Sequence, residues 1–87
     1  MITLVFHSHF LKSAKYLPTA SQKKLSVLLP LLRTNPFHPL FHTKRLSGKL
    51  AGSLSFRITR DWRVIFMFIN PDLIQLLRVA NRKDIYQ

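Results

Sequence analysis

The sequence predicts an α+β domain, an antiparallel sheet of about four strands packed on an N-terminal helical hairpin in the order β-α-α-β-β-β. Three observations carry this reading. Apolar residues recur at helical spacing between Phe10 and Leu32, which gives each of two helices one apolar face. After Gly52 the period drops to two, as in strands with one buried face. The last three apolar runs are joined only by Thr59-Arg60-Asp61 and Asn70-Pro71-Asp72. Connections so short make neighbouring strands antiparallel, because parallel neighbours need long crossovers. A chain of 87 residues, 47% of them hydrophobic, is expected to form a single domain over 1–87 with one thin core.

Taken in order, Ile2-Thr3-Leu4-Val5-Phe6 is β-rich and reads as the first strand. Ser8 is placed to cap a helix in which Phe10, Ala14 and Leu17 share a face. Pro18 ends it, lacking an N–H and clashing with the preceding turn. Thr19 or Ser21 can cap a second helix with the stripe Leu25, Leu28, Leu29 and Leu32, a core face. Pro30 falls inside that stripe and deprives the Ser26 carbonyl of its partner, which predicts a kink or an early end. Asn35-Pro36-Phe37-His38-Pro39 is a loop, and Leu40 to Leu50 is basic and irregular. In the next run Leu54, Phe56 and Ile58 point one way and Ser53, Ser55 and Arg57 the other. Trp62 to Ile69 is apolar except for Arg63, which reads as a central strand covered on both faces. Leu73 to Val79 is the last strand, followed by the tail Ala80 to Gln87.

Charge is distributed unevenly. The first 60 residues hold ten Lys and Arg and no acid, and the three acids are Asp61, Asp72 and Asp84, in a chain of formal net charge +11. So one-sided a surface repels itself when compact and suits a polyanion, here expected to be RNA. It leaves little for chemistry built on paired carboxylates. There is no cysteine, so disulfides and thiolate metal sites are excluded and a cytoplasmic home is expected. The N-terminus does not read as a secretory signal, and no uncharged apolar stretch approaches the ~20 residues of a membrane span. His7, His9, His38 and His42 lack an acidic co-ligand nearby, so no metal site is expected. No Gly-rich phosphate loop, Ser-His-Asp set or nucleotide fingerprint is present, and no small-molecule cofactor is implied.

Three motifs in the second half are informative together. Leu46-Ser47-Gly48-Lys49-Leu50-Ala51-Gly52-Ser53-Leu54-Ser55-Phe56-Arg57-Ile58, then Asp61-Trp62-Arg63-Val64-Ile65-Phe66, then Val79-Ala80-Asn81-Arg82-Lys83-Asp84-Ile85-Tyr86 resemble, in order and at family spacing, the corresponding runs of the RelE/ParE toxin superfamily. With the helical hairpin and Asn35-Pro36 the resemblance covers nearly the whole chain. It implies a RelE-like fold and the toxin of a type II toxin–antitoxin pair, with a cognate antitoxin protein as partner. The RelE-like branch cleaves mRNA, usually on the ribosome, and the ParE-like branch poisons DNA gyrase. An Arg-x-x-x-Tyr tail such as Arg82 and Tyr86 favours the ribonuclease branch. The alternatives are a gyrase inhibitor, or an inactive member that only binds RNA or its antitoxin.

The resemblance assigns catalysis to Arg63, Arg82 and Tyr86. Metal-free RNA cleavage needs a base for the 2′-OH, cations for the charged transition state and a proton for the leaving oxygen. Tyr86 is the candidate base, and one cation at ~4 Å in an effective dielectric of ~20 supplies roughly 4 kcal/mol toward ionising a phenol. Arg63 interrupts an apolar strand, where a charge is costly unless paired or facing a site. A guanidinium there matches phosphate in two-pronged geometry. Arg82 has the same electrostatic role, being a reluctant acid. Lys44, Arg45, Lys49, Arg57 and Arg60 are the expected RNA contacts, with solvated surface charges as the competing reading. Some ribonuclease relatives have histidines where Lys44 and Arg82 fall, and this chain lacks that pair. Asp61 is more readily a turn or pairing residue than a functional one, and Trp62 more readily core than a base-stacking platform.

Overall fold

The computed structural model describes residues 1–85. The elements are β1 (Thr3–Phe6), α1 (Ser8–Ala14), α2 (Thr19–Thr34), β2 (Lys44–Arg45), β3 (Leu54–Arg57), β4 (Trp62–Asn70), β5 (Leu73–Asn81) and α3 (Arg82–Ile85), with 3₁₀ turns at Pro39–Phe41 and Gly48–Leu50. The α+β class and the β-α-α order of the first half are as the sequence predicts. One face of the sheet packs on the helical hairpin. Phe10, Leu17, Leu25, Leu28 and Leu32 meet Phe56, Ile58, Val64, Phe66, Ile74 and Leu76, all buried. Phe56 anchors this core, edge-on to Phe41 at 5.2 Å and tilted against Phe66 at 5.8 Å. No helix among the described residues is long and apolar enough to cross a membrane.

The sheet departs from the expected four antiparallel strands. It has five, in the order β1-β5-β4-β3-β2, and it is mixed. β3, β4 and β5 are antiparallel as their short turns require, but β1 lies parallel to β5, with Thr3 opposite Leu73 and Phe6 opposite Leu76. That partner lies about seventy residues along the chain, so no local spacing announces it. The fifth strand is Lys44–Arg45, paired with Ser55 and Leu54. Two charged residues cannot display an apolar alternation, and such a short charged strand is what blunts a sheet edge.

Four local expectations also change. The α1 cap is His7 rather than Ser8, its Nδ1 accepting from the His9 N–H at 3.0 Å. Neither Thr19 nor Ser21 caps α2, where Pro18 holds the cap position without a side-chain bond. Pro30 does not end α2, which runs one further turn to Thr34, where the Thr34 hydroxyl donates to the Pro30 carbonyl at 3.3 Å. β5 extends two residues past Val79 because Arg63 and Trp62 of β4 pair with Ala80 and Asn81.

Candidate active site

The side of the sheet away from the α1–α2 hairpin is built in rows. Residues opposite each other in antiparallel strands share a face, so the register places Lys44, Ser55, Ile65 and Arg78 in one row and Arg57, Arg63 and Ala80 in the next. Two guanidinium-bearing residues, Arg57 and Arg63, therefore stand directly opposite one another. Like charges so placed destabilise a sheet. Arg63 Nη1 donates to the Thr59 carbonyl at 2.9 Å, a neutral partner that does not offset its charge. Arg57 Nε is buried and makes no hydrogen bond among the described residues. Both residues are partly buried, where a neighbouring anion is less screened than in open solvent.

The C-terminal segment is fastened beside this pair. The Arg82 N–H donates to the Asp61 carbonyl at 2.8 Å, tying the start of α3 to the β3–β4 turn. The Asn81 side chain accepts from the Lys83 N–H at 3.1 Å and begins the helical turn. Ile85 is then buried in a small second cluster with Ile65 and Ala80, packed by Leu46, Leu50 and Leu77. Arg82 itself is exposed, one residue beyond the strand end that pairs with Trp62. Next to Ile85 a cavity of about 480 Å³ is lined by Arg45, Ser47, Lys49 and Leu50. Gly48, in the same wall, has φ +65, a conformation glycine adopts without steric cost.

The predicted residues thus divide. Arg57, Arg63 and Lys44 share the open face, and Arg82 is fixed at its end. Arg45 and Lys49 line the adjoining cavity. Arg45 is opposite the core residue Leu54, so it does not belong to the Lys44 row. Arg60 is exposed in the β3–β4 turn. Tyr86 lies outside the described residues. Trp62 packs against the main core. Among the described residues no three His, Asp or Glu side chains gather in a metal-binding group.

Arg78 belongs to the site although nothing in the sequence argument selected it. Simple alternation from Ile74 and Leu76, which face the core, would put residue 78 there too. A register shift intervenes. Phe66 pairs with Leu76 and Ile65 with Arg78, leaving Leu77 as the extra residue. The bulge turns Arg78 to the open face. A charged residue on the predicted core side of a buried strand was the available signal.

Solved structures share this architecture. YafQ from E. coli superimposes with a TM-score of 0.75 at 20% identity, over 100% of both chains. The RelB–RelE antitoxin–toxin complex from Methanococcus jannaschii gives 0.75 at 23% identity, over 94% of each chain. The YoeB–YefM complex from Staphylococcus aureus gives 0.72 at 19% identity, over 92% of this chain and 95% of that one. No protein-family model matches the sequence, and no curated protein matches it. At these identities the likeness establishes the fold, which is RelE-like over the whole chain.

Proposed function

We propose that this chain is the toxin of a type II toxin–antitoxin pair and that it cleaves mRNA, on the ribosome, without a metal ion. The observation that carries the reading is the opposition of Arg57 and Arg63, two partly buried cations placed face to face at a cost in stability. A phosphodiester would relieve that repulsion, and a phosphorane-like transition state, with one more negative charge, would relieve it further. Differential binding of this kind is what accelerates a reaction.

In the proposed reaction the 2′-oxygen attacks the adjacent phosphorus and the bond to the 5′-oxygen breaks. The products are a 2′,3′-cyclic phosphate and a 5′-hydroxyl. Tyr86 takes the 2′-OH proton, Arg63 and Arg57 hold the phosphate oxygens, and Arg82 adds charge from the start of α3. The leaving oxygen takes its proton from solvent, because a guanidinium releases one reluctantly. Lys44, Arg78, Arg45 and Lys49 extend the cationic surface along which the strand lies. The antitoxin is expected to be acidic where it covers this surface. The M. jannaschii RelB–RelE structure is itself an antitoxin–toxin complex, which supports an antitoxin as partner.

Primer extension on translated mRNA tests the reading, using the purified protein beside Tyr86→Phe and Arg63→Ala. Cuts at defined codon positions that disappear in both variants are expected. Folded protein that leaves RNA intact with and without ribosomes would overturn it and turn attention to DNA supercoiling by gyrase.

A further inference from the structure

The cationic face does not stop at the Arg57–Arg63 pair. β2 covers β3 only at Leu54 and Ser55, so from Phe56 onward the outer edge of β3 has no strand beside it. There a separate cavity of about 250 Å³ opens between β3, α2 and the loop after the Pro39–Phe41 turn. Its polar wall is Lys24 from α2, His42 from the loop, and Arg57 and Arg60 from β3 and its turn. Its apolar wall is Leu28 and Leu40.

From this cavity we infer a nucleotide subsite, which takes one phosphate and its base from the RNA strand next to the phosphate held at Arg63. The occupant rests on the ribonuclease reading above, whereas the chemistry of the cavity stands apart from it.

Four observations carry the inference. Lys24, His42, Arg57 and Arg60 come from three separate elements and converge with no acid among the described lining residues, and an anion offsets the mutual repulsion of the three cations. Arg57 belongs to both places, since it lines this cavity and stands opposite Arg63, and its buried Nε has no partner among the described residues. Thr59 joins the two in the same way, lining the cavity while its carbonyl accepts from Arg63. His42 is the one non-glycine with positive φ among the described residues, at 48°. That left-handed conformation is uncommon outside glycine and is over-represented in binding sites. A phosphate meets Lys24, Arg57 and Arg60, and a base has the half-exposed Leu40 and the His42 ring as its apolar and stacking surface. An acidic peptide would use the cations but not the stacking wall. The volume suits a single nucleotide unit.

The test reads binding rather than cleavage. The ¹⁵N-labelled full-length protein is titrated with adenosine 5′-monophosphate, inorganic phosphate, adenosine and a short poly-glutamate peptide. The monophosphate is expected to shift the amides of Lys24, His42 and Arg60 more strongly than phosphate or adenosine alone. The surface variant Lys24→Gln/Arg60→Gln should weaken this about tenfold, as loss of charge-assisted contacts does, and Lys24→Arg should retain it. Monophosphate shifts confined to residues around Arg63 and Ile85, or poly-glutamate binding in the cavity as tightly as the monophosphate, would overturn the subsite. Nucleotide binding here by a protein that cuts no RNA would keep the subsite and remove the ribonuclease reading. RNA cleavage without it would do the reverse.

Discussion

Ser13 of α1 and the backbone of Val79 in β5 are joined by a hydrogen bond of 2.8 Å, in which the Val79 N–H donates to the serine hydroxyl. That hydroxyl in turn donates to the His9 carbonyl at 2.7 Å. The bond lies next to the bulge at Leu77 and Arg78, where ladder pairing is interrupted. It therefore satisfies a backbone donor near the irregular part of β5 and locks the first helix to the strand that carries Arg78.

Ser13→Ala is expected to leave the Val79 N–H without an acceptor in a part-buried position, at a cost of about 1–3 kcal/mol. Chemical denaturation should show a lower midpoint with an unchanged slope. An unchanged midpoint would mean that water replaces the hydroxyl without loss.

Arg57→Met should behave in the opposite sense. It removes one of two opposed like charges and a buried donor without a partner, while keeping the length of the side chain. We expect stability to rise by about 1 kcal/mol, read as a Tm increase of roughly 4–8 °C for a domain of this size, together with weaker RNA cleavage. A variant that loses stability would show that the two guanidiniums are not in net repulsion.

Arg63→Ala removes the cation nearest the centre of the proposed site. By analogy with the loss of one preorganised donor to a developing negative charge, kcat should fall about 10²–10³-fold. Tyr86→Phe should lower kcat by roughly 10²–10⁴-fold, the range of a lost general base, with RNA affinity unchanged. Single-turnover cleavage beside equilibrium RNA binding separates the two effects. Equal cleavage by Tyr86→Phe would remove the phenol from the mechanism.

Pro30→Ala should stabilise the fold. Pro30 is exposed inside α2, where proline lacks the N–H that would pair with the Ser26 carbonyl. Alanine restores that bond, and the intrinsic preference of up to ~3 kcal/mol is reduced by the greater freedom alanine gives the unfolded chain. A net gain of about 1–2 kcal/mol in thermal or urea unfolding is expected. A loss would show that the pyrrolidine ring packs productively beside Leu4 and Phe6.

Where order was local, the sequence displayed it. The leucine stripe of α2, the alternation of β3 and the turns that make β3, β4 and β5 antiparallel could all be read directly, because 3.6- and 2-residue periods are imprinted by burial of one face. The singular Arg63 in an apolar strand was visible for the same reason. Its partner across the sheet was not. Whether Arg57 falls opposite Arg63 depends on the length and shape of the Thr59-Arg60-Asp61 turn, which composition does not specify. Arg78 was hidden by a bulge, since one extra residue reverses every later side chain. The parallel seating of β1 was hidden by distance along the chain, and β2 by being only two residues long.

That seating of β1 has a consequence for how the chain acquires its shape during synthesis. Thr3 to Phe6 find their partners only at Leu73 to Leu76, and α1 is bonded to β5 at Val79. Neither the first strand nor the first helix can reach its native place until most of the chain has been made. Contacts so distant in sequence slow folding, because the loop must close before they contribute. A growing chain would thus complete the arginine-bearing face last, when β4, β5 and α3 come together around Arg63. Until then the Arg57–Arg63 hairpin has neither β5 beside it nor the Arg82 backbone fastened at its end.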